Sequence, residues 1–88
     1  MTNVSEKKKT DNVHLHIEKA FAVIDEYLPW PYVDKVKKYV DKSPGTIKNV
    51  RYKRSGNIQI VEALLKVSLA NKRQIERENK KLENLINQ

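Results

Sequence analysis

Apolar positions in the first half of the chain recur at helical spacing. Val13, Ile17, Phe21, Ile24 and Leu28 lie three or four residues apart, which is the period of one helix face. They predict a first helix that starts at Asp11, its N-cap, and stops before Pro29. In "LPWPY", Pro31 suits the first turn of a second helix, where its missing N–H costs nothing. That helix is expected to reach about Val40, burying Val33, Val36 and Val40. Tyr32 and Tyr39 fall at its margins, and Lys35, Lys37 and Lys38 fall towards solvent. Trp30 is expected to pack over the joint between the first two helices. After a short turn Ser43 caps a third helix, with Pro44 in its first turn and its end near Arg54. Gly56 suits the left-handed exit from that helix. Asn57 caps a fourth helix carrying Ile58, Ile60, Val61, Leu64, Leu65, Val67 and Leu69. No proline or glycine follows Gly56, so the fourth helix is predicted to continue to about Ile86. The expected fold is all-α: four helices, a central helix-turn-helix and a long C-terminal helix, with no strand pattern and no internal repeat.

Beyond Leu69 the spacing shifts towards a heptad. Ile58, Val61, Leu65, Ser68, Lys72, Ile75, Asn79, Leu82 and Ile86 follow alternating steps of three and four, the seam of a coiled coil. One asparagine in such a seam can set a two-stranded register. Ile75, Asn79, Leu82 and Ile86 are therefore expected to pair two copies of the chain, with Glu76, Glu78, Glu83, Arg73, Arg77, Lys80 and Lys81 alongside. A single amphipathic helix that packs on its own domain and then frays is the competing reading. The chain thus divides into a polar, cationic tail over 1–10 expected to be disordered, a domain over 11–69 and a helical extension over 70–88.

Composition narrows the picture. A chain of 88 residues makes one domain with a small core. It has no cysteine, which excludes disulfides and cysteine-ligated zinc and fits a reducing compartment. The longest apolar run, Ala20 to Ile24, is far short of the roughly 20 residues that span a bilayer. The polar, cationic first residues carry no secretory signal pattern. Charge is unevenly spread. Residues 1–42 hold eight cations and seven acids, residues 43–54 four cations and no acid, and residues 55–88 six cations and four acids. The excess sits on a short helix whose only aliphatic side chains are Ile47 and Val50, a concentration that favours a polyanionic partner over a merely solvated surface.

The valines of the second helix and Ile47 and Val50 of the third have the spacing for two faces to pack at a steep angle across a short turn. On these residues the chain resembles helix-turn-helix DNA-binding proteins of the lambda-repressor and Cro type, especially compact bacterial and phage regulators. The resemblance runs from about Leu28 to Leu69. Lys37 stands where that family prefers a small residue, Asp41 where it often has glycine in a left-handed turn, and Lys42 in place of a usual aliphatic. The resemblance implies that Ser43, Gly45, Thr46, Lys48, Asn49 and Tyr52 face base edges. By side-chain chemistry, Asn49 can bond adenine, Lys48 can reach guanine O6 and N7, and Thr46 can touch a thymine methyl. Arg51, Lys53 and Arg54 suit phosphates, and Gly45 permits close backbone approach.

No catalytic pattern stands against this reading. His14 and His16 point to different faces of one helix, Asp25–Glu26 and Asp34 read as solvated helix acids, and no glycine-rich phosphate loop exists. No enzyme, metal or cofactor is expected. The expected partners are double-stranded DNA and a second copy of the chain, in the cytoplasm of a bacterium or of a phage host. Three classes remain open: a sequence-specific regulator, a nucleic-acid binder without sequence preference, and an assembly protein working through the long helix.

Overall fold

The computed structural model describes residues 16–88. The expected disordered tail, Asp11, Val13 and His14 lie outside the described residues. Four helices follow: α1 over 16–27, α2 over Val33–Lys37, α3 over Pro44–Lys53 and α4 over Ile58–Ile86, with no strand among the described residues. The fold is all-α, with a long C-terminal helix.

One cluster of buried side chains joins all four helices. Phe21 and Ile24 come from α1, Val36 from α2, and Ile47 and Val50 from α3, with Ile60, Val61, Ala63, Leu64 and Val67 from α4. Ile17, Leu28, Val33 and Leu65 pack on its edge. The apolar stripe expected for α1 therefore faces the core wherever it is described. α2 packs on both α3 and α4, and α3 packs on α4.

The start of α2 departs from the sequence reading. The Trp30–Pro31 peptide is cis, and Tyr32 is the N-cap with non-helical φ −121° and ψ −22°. Pro31 thus lies before the helix and not in its first turn. The reason is tertiary: Tyr32, expected at a margin, is a core residue only 5% exposed, and seating its ring sets how the chain enters α2. The helix is also shorter than expected, ending at Lys37. The backbone stays coiled for three more residues, with Tyr39 N–H donating to Val36 O at 2.9 Å and Val40 N–H to the same oxygen at 3.2 Å. Val40 is buried all the same, so the expected core position holds while the expected helix length does not. The positive-φ positions among the described residues are Arg54 and Gly56, so the turn through Asp41 needs no left-handed residue.

Local signals account for the boundaries of α3 and α4. Ser43 Oγ accepts from Thr46 N–H at 3.2 Å, with Pro44 in the first turn. Asn57 Oδ1 accepts from Gln59 N–H at 2.8 Å. The exit from α3 uses two residues where one was expected. Arg54 takes the left-handed conformation at φ 58° and donates its N–H to Val50 O. Gly56 follows at φ 128°, where an added Cβ would lie 3.1 Å from Val50 Cγ2. The positive φ favours glycine there, and a side chain would also oblige Val50 to shift by a few tenths of an ångström.

α4 spans 29 residues, about 44 Å at 1.5 Å per residue. Its first half is core. Ser68 is fully buried and donates from Oγ to Leu64 O at 2.8 Å. Asn71 Nδ2 donates to Tyr27 O at 2.8 Å, closing a carbonyl at the end of α1. The Lys72 ammonium lies 5.5 Å from the centre of the Tyr27 ring. From Arg73 onward every residue is exposed. This corrects the four-heptad seam: Val61 and Ser68 are spent inside the domain and Leu65 packs on its edge, so the unbroken exposed part of the seam is the stretch beyond Lys72, from Ile75 to Ile86. No helix among the described residues is long and apolar enough to cross a membrane.

Candidate nucleic-acid interface

α3 is divided along its length. Ile47 and Val50 are buried, whereas Gly45, Thr46, Lys48, Asn49, Tyr52 and Lys53 are exposed. Two anchors hold the helix because α2 and α4 lie behind it, and so the opposite surface is free to carry other chemistry. No acidic residue occurs from Lys42 to Val61. The outward face of α3 therefore has no carboxylate of its own segment to neutralise it.

The sequence-predicted site residues do not all keep their polar atoms for a ligand. Ser43 Oγ and Thr46 Oγ1 are bonded to each other at 2.8 Å, and Ser43 also caps the helix. The Arg54 guanidinium is paired with the Asp25 carboxylate of α1 and lies 5.5 Å from the centre of the Phe21 ring. The arginine expected to meet phosphate is thus drawn towards α1. Arg51 is half-buried, its guanidinium 5.4 Å from the centre of the Tyr32 ring, and its Nε–H has no hydrogen-bond acceptor. Lys48, Asn49, Tyr52 and Lys53 remain exposed.

Trp30 reverses its expected role. It is 81% exposed and covers no joint between helices. Its ring meets Tyr32 in a tilted contact with centroids 5.9 Å apart. Tyr32 occupies the core beside it, and the indole stays at the surface. Trp30, Tyr32, Gly45, Lys48, Asn49, Arg51 and Tyr52 line an open groove of about 440 Å³. Tyr52, 87% exposed, completes a surface with two cations, one amide, large aromatic rings and no acid. The groove joins the segment before α2 to the outward side of α3. Spacing alone could not reveal it, because Trp30 meets Tyr32 and Tyr32 meets Arg51 of α3 across about twenty positions of sequence. The one available signal was the pairing of a basic helix with an aromatic-rich lead-in.

The dimerisation candidates sit elsewhere. Ile75, Leu82 and Ile86 are exposed, as is Asn79. Leu85 extends the same apolar surface, a residue the heptad reading left out. His16 is exposed on α1, and no group of three or more His, Cys, Asp or Glu side chains suited to a metal ion occurs among the described residues.

Comparison of the chain with models of protein families, with curated proteins and with solved structures finds no match.

Proposed function

We propose that this chain binds double-stranded DNA sequence-specifically, as a repressor-type regulator of transcription in a bacterial or phage-infected cytoplasm, with α3 in the major groove. The observation that carries the reading is the division of α3: two buried aliphatic anchors on one side, and an exposed, acid-free set of Gly45, Thr46, Lys48, Asn49, Tyr52 and Lys53 on the other. In this reading Asn49 and Lys48 read base edges, each good contact worth about 1–3 kcal/mol of discrimination. Lys53 meets phosphate, and Arg51 adds positive potential from its place over Tyr32. No enzymatic step and no cofactor is part of the proposal.

Self-association is proposed as part of the same function. The exposed Ile75, Leu82 and Ile86 support a short pairing of two α4 helices, with Asn79 in its seam. Two copies of α3 would then engage half-sites about one helical turn apart, or a multiple of it.

Selection from a pool of random duplexes with the full chain tests the reading. Enrichment of one motif is expected, and Lys48→Ala and Asn49→Ala should weaken that motif more than random duplex. Recovery of unenriched DNA would leave a binder without sequence preference, held by phosphate contacts alone. Loss of all nucleic-acid binding with self-association intact would favour an assembly protein.

A further inference from the structure

The groove beside α3 has a composition that base reading does not explain. Trp30 and Tyr52 are the two most exposed large apolar side chains of the described residues, at 81% and 87%. Neither carries charge, and each keeps a large ring in water, which is unfavourable without a partner. Both line the same groove as Lys48 and Arg51. Two cations and no carboxylate line it, a lining that suits an anionic occupant, and its aromatic rings suit one that also has apolar surface.

The geometry points to one strand's sugar–phosphate backbone as the occupant. This inference rests on the DNA-binding reading and deepens it. In a duplex the base faces are covered by stacking, so the apolar surface within reach of a flat ring is the deoxyribose. Trp30 and Tyr52 pack on deoxyriboses while Arg51 faces the phosphate between them and Lys48 reaches past the strand to the base edges. The Trp30 ring meets Tyr32, itself a core residue, in a tilted contact, and stands at the edge of the groove with most of its surface exposed. Gly45 has open space around its Cβ position and leaves the floor low enough for a backbone to approach. The contact is not one that reads sequence. It adds affinity that is independent of salt, beside phosphate contacts that are lost as salt rises.

Trp30 is the sole tryptophan of the chain, so its emission reports on the groove directly. The full chain is titrated with a short random-sequence duplex and with one of its single strands, following Trp30 emission and the anisotropy of a dye on the DNA. Trp30→Ala and Tyr52→Ala are expected to weaken duplex binding about 3- to 10-fold each. The slope of log affinity against log salt should stay unchanged, whereas Lys53→Ala, at a cation assigned to phosphate, lowers it by about one. Trp30 emission should change in step with anisotropy on the duplex. Duplex binding with constant Trp30 emission, or with unchanged affinity in both aromatic variants, overturns the inference and leaves the DNA reading standing. A stronger response to the single strand also overturns it, by assigning the rings to unpaired bases. No anisotropy change with any DNA fails the DNA reading itself, and a response of Trp30 to an acidic peptide alone would move the groove to a protein partner.

Discussion

α3 and the distal part of α4 invert the usual relation between apolar content and burial. α3 offers two aliphatic side chains, Ile47 and Val50, and buries both. The stretch of α4 from Arg73 to Ile86 offers Ile75, Leu82, Leu85 and Ile86, and all four are exposed. The direction of the side chains is not what separates them. Leu64 and Ile75, eleven positions apart, point only about 20° from each other around the helix at 100° per residue. Leu64 is fully buried and Ile75 is exposed, because α1 and α2 stop short of the distal turns. Burial belongs to what stands opposite a face, and a helical period describes only the face. The same difference separates the two proposed surfaces: the α3 face is braced from behind by α2 and α4, and the α4 stripe lacks a partner among the described residues.

The largest effect should come from removing the brace. Ile47→Ala leaves a cavity beneath α3 and is expected to cost about 2–5 kcal/mol, against a total of about 4–13 kcal/mol for a domain of this size. A urea titration followed by circular dichroism reads it, and a midpoint close to that of the unchanged chain would mean that α3 is not seated on the core. Gly56→Ala comes next. Its positive φ and the 3.1 Å approach to Val50 Cγ2 should cost about 1–3 kcal/mol, seen as a lower thermal midpoint. A neutral result would show the exit of α3 to be free to shift. Asp25→Asn removes the partner of Arg54. Both side chains are about half exposed, so the expected loss is only about 0.5 kcal/mol, and it should shrink further in high salt. The freed Arg54 would then be available to phosphate, so duplex affinity should rise slightly and its salt slope steepen. Smallest within one chain is Leu82→Ala, below about 0.5 kcal/mol at high dilution. In concentrated solution, sedimentation should show weaker self-association than for the unchanged chain. Equal sedimentation of the two at every concentration would remove α4 pairing.

Several features were legible from neighbouring residues alone. The caps at Ser43 and Asn57 and the proline in the first turn of α3 act over two or three positions, and their hydrogen bonds form as expected. The alternation that marked Val36, Val40, Ile47 and Val50 as core also describes their burial. The features that escaped the sequence are bonds between distant positions. Arg54 meets Asp25 across 29 positions, and Asn71 meets Tyr27 across 44. Trp30 and Tyr32 exchanged their expected places for a similar reason: both rings are large and two residues apart, and which of them joins the core cluster depends on residues from the other helices. Ser68 falls at a position of the expected coiled-coil seam, yet it is a core residue whose hydroxyl bonds the Leu64 carbonyl of its own helix.

Local chemistry in the chain by itself determined four helical segments, the caps of α3 and α4, the face of α3 that turns inward and the concentration of positive charge on its other side. Those properties depend on residues within a turn or two of one another, where hydrogen-bond reach and helical period set the outcome. Tertiary structure alone decided which cations stay free, which aromatic ring fills the core and where the stripe of α4 runs out of neighbours. Each of those is a competition among groups far apart in sequence, resolved by the volume and charge available once the helices have met.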